Sequence, residues 1–552
     1  MSTNGSRAHS AVPRPLLTFC LRAVRVSGTL HDSARPLVTS FSAINATSLS
    51  SRNKALLADD TAIYFVTVKS AFNTDRETRR RFLTRGAIGG PLALRALVQA
   101  QHNTPAIGLE AGEPTGSLVV QNITVIDGHG GPAMRGMTVS IAGDRIHSVG
   151  PTSRTVVPPG ARIEEGRGKF LIPGLWDMHT HPNDGWMYPL FLANGITGLR
   201  IMEGYPSNRK LRAEISAGTR LGPRVMAIAS PVLDGPPGID RRLNPPWRIV
   251  SNAEQGRVAV RAAVQEGAEF IKVYELLSRD TYFAIADESQ KQGVPFVGHI
   301  PRQMTPAECS MAGQKSIEHV FGIERACSEG YETWRQSLIR AANPATVPML
   351  DLRGRLETFD VSRAAAIASV FRKNHTSLCP TLVTGSAIAG DPWLTQSPNL
   401  RYVGSSYTAQ WVKSLDDPEL PLSRRFVPIQ SAVVGAMYKE GVGILAGTDT
   451  PLAYCVPGFA VHEELRFMVR AGLTPMDALR AATYKPAQFL GKLDSLGTVE
   501  RNKFAELVLL DANPLDDIAN TQKINMVISK GRMFRKPALE AMLQAAEARA
   551  RK

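Results

Sequence analysis

The sequence predicts an α/β protein: a (β/α)8 barrel of the TIM type carrying a small β-sandwich assembled from both ends of the chain. Three observations predict it. Between residues 173 and 492 short apolar runs alternate with amphipathic helical stretches, the pattern of a parallel sheet closed by right-handed crossovers. On either side, residues 116–172 and 493–535 carry short alternating runs broken by Gly-rich turns such as Asp127-Gly128-His129-Gly130-Gly131, in the style of antiparallel strands. Finally, His, Lys and Asp residues fall at the ends of the apolar runs, where a barrel carries its chemistry.

Composition bounds the reading. At 552 residues, with 43% hydrophobic and 20% charged residues, the chain has room for a barrel and a smaller domain. No segment is long and apolar enough to span a bilayer, so stable membrane insertion is not expected. The net charge of +15 is concentrated in the leader: residues 1–100 hold 14 Lys and Arg against 5 Asp and Glu. With no basic stripe interleaved with aromatics, nucleic-acid binding is not expected. Cys20, Cys309, Cys327, Cys379 and Cys455 show no C-x-x-C spacing and are too few for a disulfide framework. Most read as small buried apolar residues, with one bridge left open.

Residues 1–77 are rich in Ser, Ala, Thr and Arg without a sustained period, and disorder is expected there. Residues 78–100 resemble a twin-arginine export signal: Thr78-Arg79-Arg80-Arg81-Phe82-Leu83-Thr84, a weakly apolar run, and small residues before a cleavage point after Ala100. A periplasmic or secreted location follows, against a cytoplasmic alternative. Arg95 in the apolar run and the long upstream extension stand against the signal; translation from Val66 or Val68 would remove the second objection.

Strands are then expected at 118–122, 137–141 and 145–149, and again at 505–511 and 524–531, followed by a helical tail over 536–552. The barrel strands are expected at 175–181, 195–202, 224–232, 270–274, 295–299, 316–319, 377–382 and 443–449, with helices such as 252–266, 279–292 and 361–373 between them. Segments 324–357 and 385–425 are too long for ordinary connections and read as lid or pocket insertions.

His179 and His181 are two residues apart, so in a strand they share a face and can close on one cation. The other strand ends supply Lys272, His299, His319 and Asp449. At this point the chain resembles the amidohydrolase superfamily of metal-dependent hydrolases, in its imidazolonepropionase-like and prolidase-like branch. The resemblance spans about residues 116–535. It rests on Pro173-Gly174-Leu175-Trp176-Asp177-Met178-His179-Thr180-His181, Gly298-His299, Ile317-Glu318-His319, Ala446-Gly447-Thr448-Asp449-Thr450, Ala471-Gly472-Leu473-Thr474-Pro475 and Ala481-Ala482-Thr483.

The resemblance implies two divalent cations, commonly zinc. His179, His181 and Asp449 hold one, His299 and His319 the other, and Lys272 bridges. An ammonium has no lone pair, so the bridging role requires a carbamate formed from carbon dioxide, an anion with two oxygens. Burial among apolar neighbours lowers a lysine pKa in the direction that reaction needs. If Lys272 instead makes an ordinary salt bridge, the site holds one metal. The cations lower the pKa of a water and polarise the scissile carbonyl, and Asp449 is expected to move the proton to the leaving group.

Tyr274 shares a strand face with Lys272 and either hydrogen-bonds a substrate oxygen or packs as a core aromatic. Arg302 either captures a substrate carboxylate or sits in a surface loop. His462 reads as structural. The expected reaction is hydrolysis of an amide, peptide or cyclic-amide C–N bond in a small-molecule substrate. Imidazolone ring opening, lactone or phosphotriester hydrolysis, and a non-catalytic metal-binding barrel are the alternatives, and a homo-oligomer is left open.

Overall fold

Strands from both chain ends meet in one sheet. The computed structural model describes residues 40–43, 64–67, 112–237, 247–413, 415 and 420–552, in two units, residues 1–106 and 107–552. In the first unit Ser40–Ala43 pairs antiparallel with Tyr64–Thr67. The rest of the stretch 1–77, for which disorder is expected, lies outside the described residues. The arginine cluster and the cleavage-like residues of 78–100 lie outside the described residues, as does Cys20.

In the second unit β1 (Ser117–Val125), β2 (Met134–Ala142) and β3 (Arg145–Pro151) form an antiparallel meander. Both β4 (Arg162–Glu165) and β5 (Phe170–Pro173) pair with β1 in parallel. The sequence reading expected antiparallel strands only. Residues 152–161 are long enough to carry the chain back across the sheet, which a tight hairpin cannot do.

Gly174 then passes the chain into the barrel. A Cβ there would lie 2.1 Å from Thr197 Oγ1, so only glycine fits between the two layers. The barrel strands β6 (Leu175–Thr180), β7 (Ile196–Ile201), β8 (Arg224–Asp234), β9 (Phe270–Val273), β10 (Phe296–Gly298), β11 (Ser316–Glu318) and β12 (Ser377–Cys379) lie side by side in chain order, all parallel. Every residue of β6, β7 and β9 is buried, as strands covered on both faces must be. Between strands lie Ala253–Gln265, Arg279–Lys291 and Ser362–Lys373. The first two are N-capped by the side chains of Asn252 and Ser278, which accept backbone N–H bonds three residues on.

Two strand expectations are corrected. β12 stops at Cys379 rather than 382, because Pro380 ends the ladder and Thr381 turns to φ 49° before the helix Leu382–Ile388. The stretch 443–449 is no regular strand. It closes the barrel through single parallel bridges, Leu378 to Ile444 and Thr180 to Thr450, and through backbone bonds from Met178 N to Ala446 O and from Asp449 N to His179 O. The positive φ of Asp449, 57°, interrupts the pleat.

The long insertions are helical, with Tyr331–Arg340, Leu352–Glu357, Pro392–Thr395 and Ser405–Lys413 among their elements. The chain then returns to the first sheet. β13 (Leu507–Leu510) pairs with β5, β14 (Ile524–Ser529) with β13, and β15 (Arg532–Arg535) with β14, all antiparallel. Leu118, Ile141 and Leu171 from one end and Leu507, Met526 and Ile528 from the other share one apolar core. The helix Lys536–Ala550 packs Leu539 and Met542 against Leu192 and Ala193. No helix among the described residues is long and apolar enough to cross a membrane.

Candidate metal centre

The parallel barrel brings the strand ends to one rim, and six predicted residues meet there. His179 is on β6 and His181 follows it, while His299 and His319 directly follow β10 and β11. Lys272 is on β9, and Asp449 is delivered by the irregular closing stretch. His319 and Asp449 both take positive φ, 65° and 57°, a conformation that costs non-glycine residues energy and collects at functional sites.

Asp449 is the hub. Its Oδ1 lies 2.9 Å from His181 Nε2 and 3.2 Å from His179 Nε2, and its Oδ2 lies 3.9 Å from His319 Nε2. One donor atom each from His179, His319 and Asp449 falls within 4.8 Å of the others. The His299 ring centroid is 4.6 Å from that of His319. Lys272 is 2% exposed, and its Nζ is buried without a hydrogen-bond partner.

The protonation pattern suits a cation. Burial alone would keep Asp449 neutral, but His179, His319 and His181 outweigh it and hold the carboxyl well below the usual range. Burial, reinforced by Lys272, pushes His299 down to about 4, and burial holds His319 well below its ordinary value, so both imidazoles offer lone pairs. Burial also lowers Lys272. His181 differs: burial opposes its charge, yet Asp449 and Glu203 push it up to about 9. A carboxylate, neutral imidazoles and unpartnered buried nitrogens at His179 Nε2 and Lys272 Nζ form a donor set that fits a divalent cation.

The family comparison decides the assignment. The profile of the "Amidohydrolase family" matches residues 170–534. The chain belongs to the amidohydrolase family. Ochratoxinase from Aspergillus niger is 25% identical over 439 residues, covering 68% of this chain and 77% of that protein. Among solved structures, a proposed prolidase from Bifidobacterium longum is 25% identical with TM-score 0.57, covering 78% of this chain and 99% of that one. A bottromycin amidohydrolase reaches TM-score 0.63 at 22% identity, covering 81% and 94%. The present amidohydrolase is thus a hydrolase of carbon–nitrogen bonds in the prolidase-like branch, from a family that works with divalent metals.

The amidohydrolase places Tyr274 and Arg302 at the rim with partners of their own. Tyr274 lies just past β9, half-buried, its ring 4.0 Å from that of His299 and 4.5 Å from that of Trp247. Arg302 Nε donates to Glu275 Oε2 at 3.0 Å, and Glu275 Oε1 lies 3.4 Å from His299 Nδ1. His462 is buried away from the cluster, bonded to Thr521 and to the Asn194 carbonyl. Cys309, Cys327, Cys379 and Cys455 are free and buried.

Sequence reasoning missed the residues behind the rim histidines. Glu318 Oε2 accepts from His179 Nδ1 at 2.8 Å, and Thr381 Oγ1 lies 2.6 Å from His319 Nδ1. Glu203 Oε2 is 3.6 Å from His181 Nδ1 while its Oε1 accepts from Trp247 Nε1 at 2.8 Å. Asp177 accepts from the backbone N–H of His179 and Thr448, tying β6 to the closing stretch. The signal for one of these was visible as a charge inside an apolar run, Asp177.

Proposed function

We propose that this amidohydrolase uses two divalent cations, zinc foremost, to hydrolyse an amide, peptide or cyclic-amide bond in a small molecule. His179, His181 and Asp449 would hold one cation and His299 and His319 the other, with Lys272 as a carbamate between them. Bound there, the cations would polarise the scissile carbonyl and lower the pKa of the attacking water. The observation that carries this reading is the approach of Asp449 to both histidines of the H-x-H pair beside a buried lysine nitrogen with no partner.

Asp449, held ionised among imidazoles, accepts the proton of the attacking water and returns it to the departing nitrogen. His179, His319 and Asp449 are themselves buried, which limits the water around them. Tyr274, next to His299, can donate to a substrate oxygen, and the terminal nitrogens of Arg302 can meet an anionic group. The relative named ochratoxinase and the neighbours named prolidase and bottromycin amidohydrolase support the C–N reading without naming this substrate.

The test is a hydrolysis screen of N-acyl amino acids, dipeptides, hydantoin-like rings and lactones, using protein beginning at Gln101 and Asp449→Asn as blank. Turnover of an amide class by the wild type alone is expected. Turnover confined to lactones or phosphotriesters would move the assignment to C–O or P–O bonds, and indistinguishable wild type and blank would remove it. The arginine-phenylalanine motif at 79–82 supports export through the twin-arginine route to the periplasm or beyond. Sequencing the N-terminus of exported protein is expected to give Gln101.

A further inference from the structure

Beneath the cluster the barrel lumen holds a buried charge pair that the reaction itself does not call for. Arg200 on β7 and Glu318 on β11 are 0% and 3% exposed. Arg200 Nη2 donates to both Glu318 oxygens at 2.9 Å, its Nη1 donates to Ser316 Oγ at 2.9 Å, and its Nε donates to the Met178 carbonyl. Glu318 Oε2 also faces His179 Nδ1 at 2.8 Å. Strands from opposite parts of the barrel are thereby tied across the lumen to the first histidine of the H-x-H pair.

A fully buried ion pair is poor at stabilising a fold, since its desolvation cost rivals its attraction. Its geometry specifies something instead. An ionised carboxylate has no proton to give, so the shared hydrogen must be on His179 Nδ1. In the neutral ring the lone pair then belongs to Nε2, the atom 3.2 Å from Asp449 and without a hydrogen-bond partner. His179, Glu318 and Cys379 also bring donor atoms within 4.8 Å of one another, but the guanidinium of Arg200 already occupies Glu318. That keeps Glu318 an acceptor for the imidazole rather than a competing ligand.

We propose that Arg200 and Glu318 act as one positioning device that fixes the tautomer and orientation of His179 for cation binding. Carboxylates behind metal-bound histidines commonly set the tautomer in this way. Here the second charge, Arg200, sets the carboxylate in turn. The inference rests on His179 as a cation ligand.

The test compares two double variants of the full chain, Arg200→Met with Glu318→Leu, and Arg200→Met with Glu318→Gln. Each removes both charges together, so neither leaves a lone buried ion. Cation affinity is measured with zinc by chelator competition, alongside the thermal midpoint. The leucine variant is expected to bind zinc at least tenfold more weakly than wild type, and the glutamine variant, which retains an acceptor for Nδ1, within about threefold. Equal affinity in wild type and a folded leucine variant overturns the proposal, as does equal weakening in both variants.

If the variants do not fold, ¹⁵N-histidine spectra of the wild type decide. Recorded at a pH where the His179 ring is neutral, a proton on Nδ1, assigned by its loss in His179→Gln, upholds the proposal, and a proton on Nε2 alone overturns it. A wild type that binds no zinc at all removes the metal-centre reading itself, an outcome distinct from either.

Discussion

Asp449 lies within 3.2 Å of two imidazole nitrogens and is the shared neighbour of three histidines. Asp449→Asn keeps its shape and removes its charge and its capacity to accept a proton. A loss of about 10²–10⁴-fold in kcat is expected, and kcat within tenfold of wild type would contradict the role given to it. Lys272 makes a different prediction. Lys272→Ala is expected to lose activity and metal together, with partial recovery on adding acetate or propionate, whose carboxylate can enter the space left by a carbamate. No recovery at any concentration, with the variant folded, would speak for a plain ammonium. The convergence of these six residues was legible at this scale because H-x-H spacing and strand-end positions are local features. Glu318 was not, because strand residues alternate faces and its neighbour His319 was already assigned to the rim. The positive φ of His319 breaks that alternation, so both side chains reach His179.

At the scale of elements, the closing stretch 443–449 and its supports differ most from a sequence-based picture. Seven strands were legible as apolar runs of the right spacing, with ends misjudged by one to three residues. The eighth has too few ladder bonds to be regular because its backbone turns to deliver Asp449. The helix after it, Phe459–Arg470, contributes Glu464, fully buried and accepting from Val383 N at 2.7 Å. Burial pushes this carboxyl up to about 8, whereas in an unfolded chain it titrates near ~4.3. Between those values the folded state holds a proton that the unfolded state has lost, so this contribution to stability is complete below the lower value and falls as pH rises through the window. Glu464→Gln is expected to flatten the decline in the denaturation midpoint between pH 5 and pH 8, and an unchanged slope would contradict the assignment. At the seam, Gly174→Ala places a methyl 2.1 Å from Thr197 Oγ1. Overpacking of this kind costs about 1–3 kcal/mol, measurable by denaturant titration, and a stability equal to wild type would show that the layers can part.

At the scale of the whole molecule, the sheet built from both chain ends makes the barrel an insertion within a smaller unit. β5 is flanked by β1 from the N-terminal side and β13 from the C-terminal side, and it leads directly into β6 and the first two histidines. Sequence showed that both ends share a strand-rich style, but the register and the parallel pairing of β4 and β5 with β1 depend on contacts no local pattern encodes. Deleting residues 505–552 strips β13–β15 and the final helix from this core. Loss of cooperative unfolding is expected, and a truncated chain with an unchanged thermal midpoint would contradict a shared core. The central claim is that the molecule assembles six residues from distant strands into one metal centre. Metal content of the full chain, measured by mass spectrometry after purification and resupply of zinc in bicarbonate-containing buffer, tests it most directly. Near two cations per chain are predicted, falling to one or fewer in Lys272→Ala; a wild type that retains none would contradict the account.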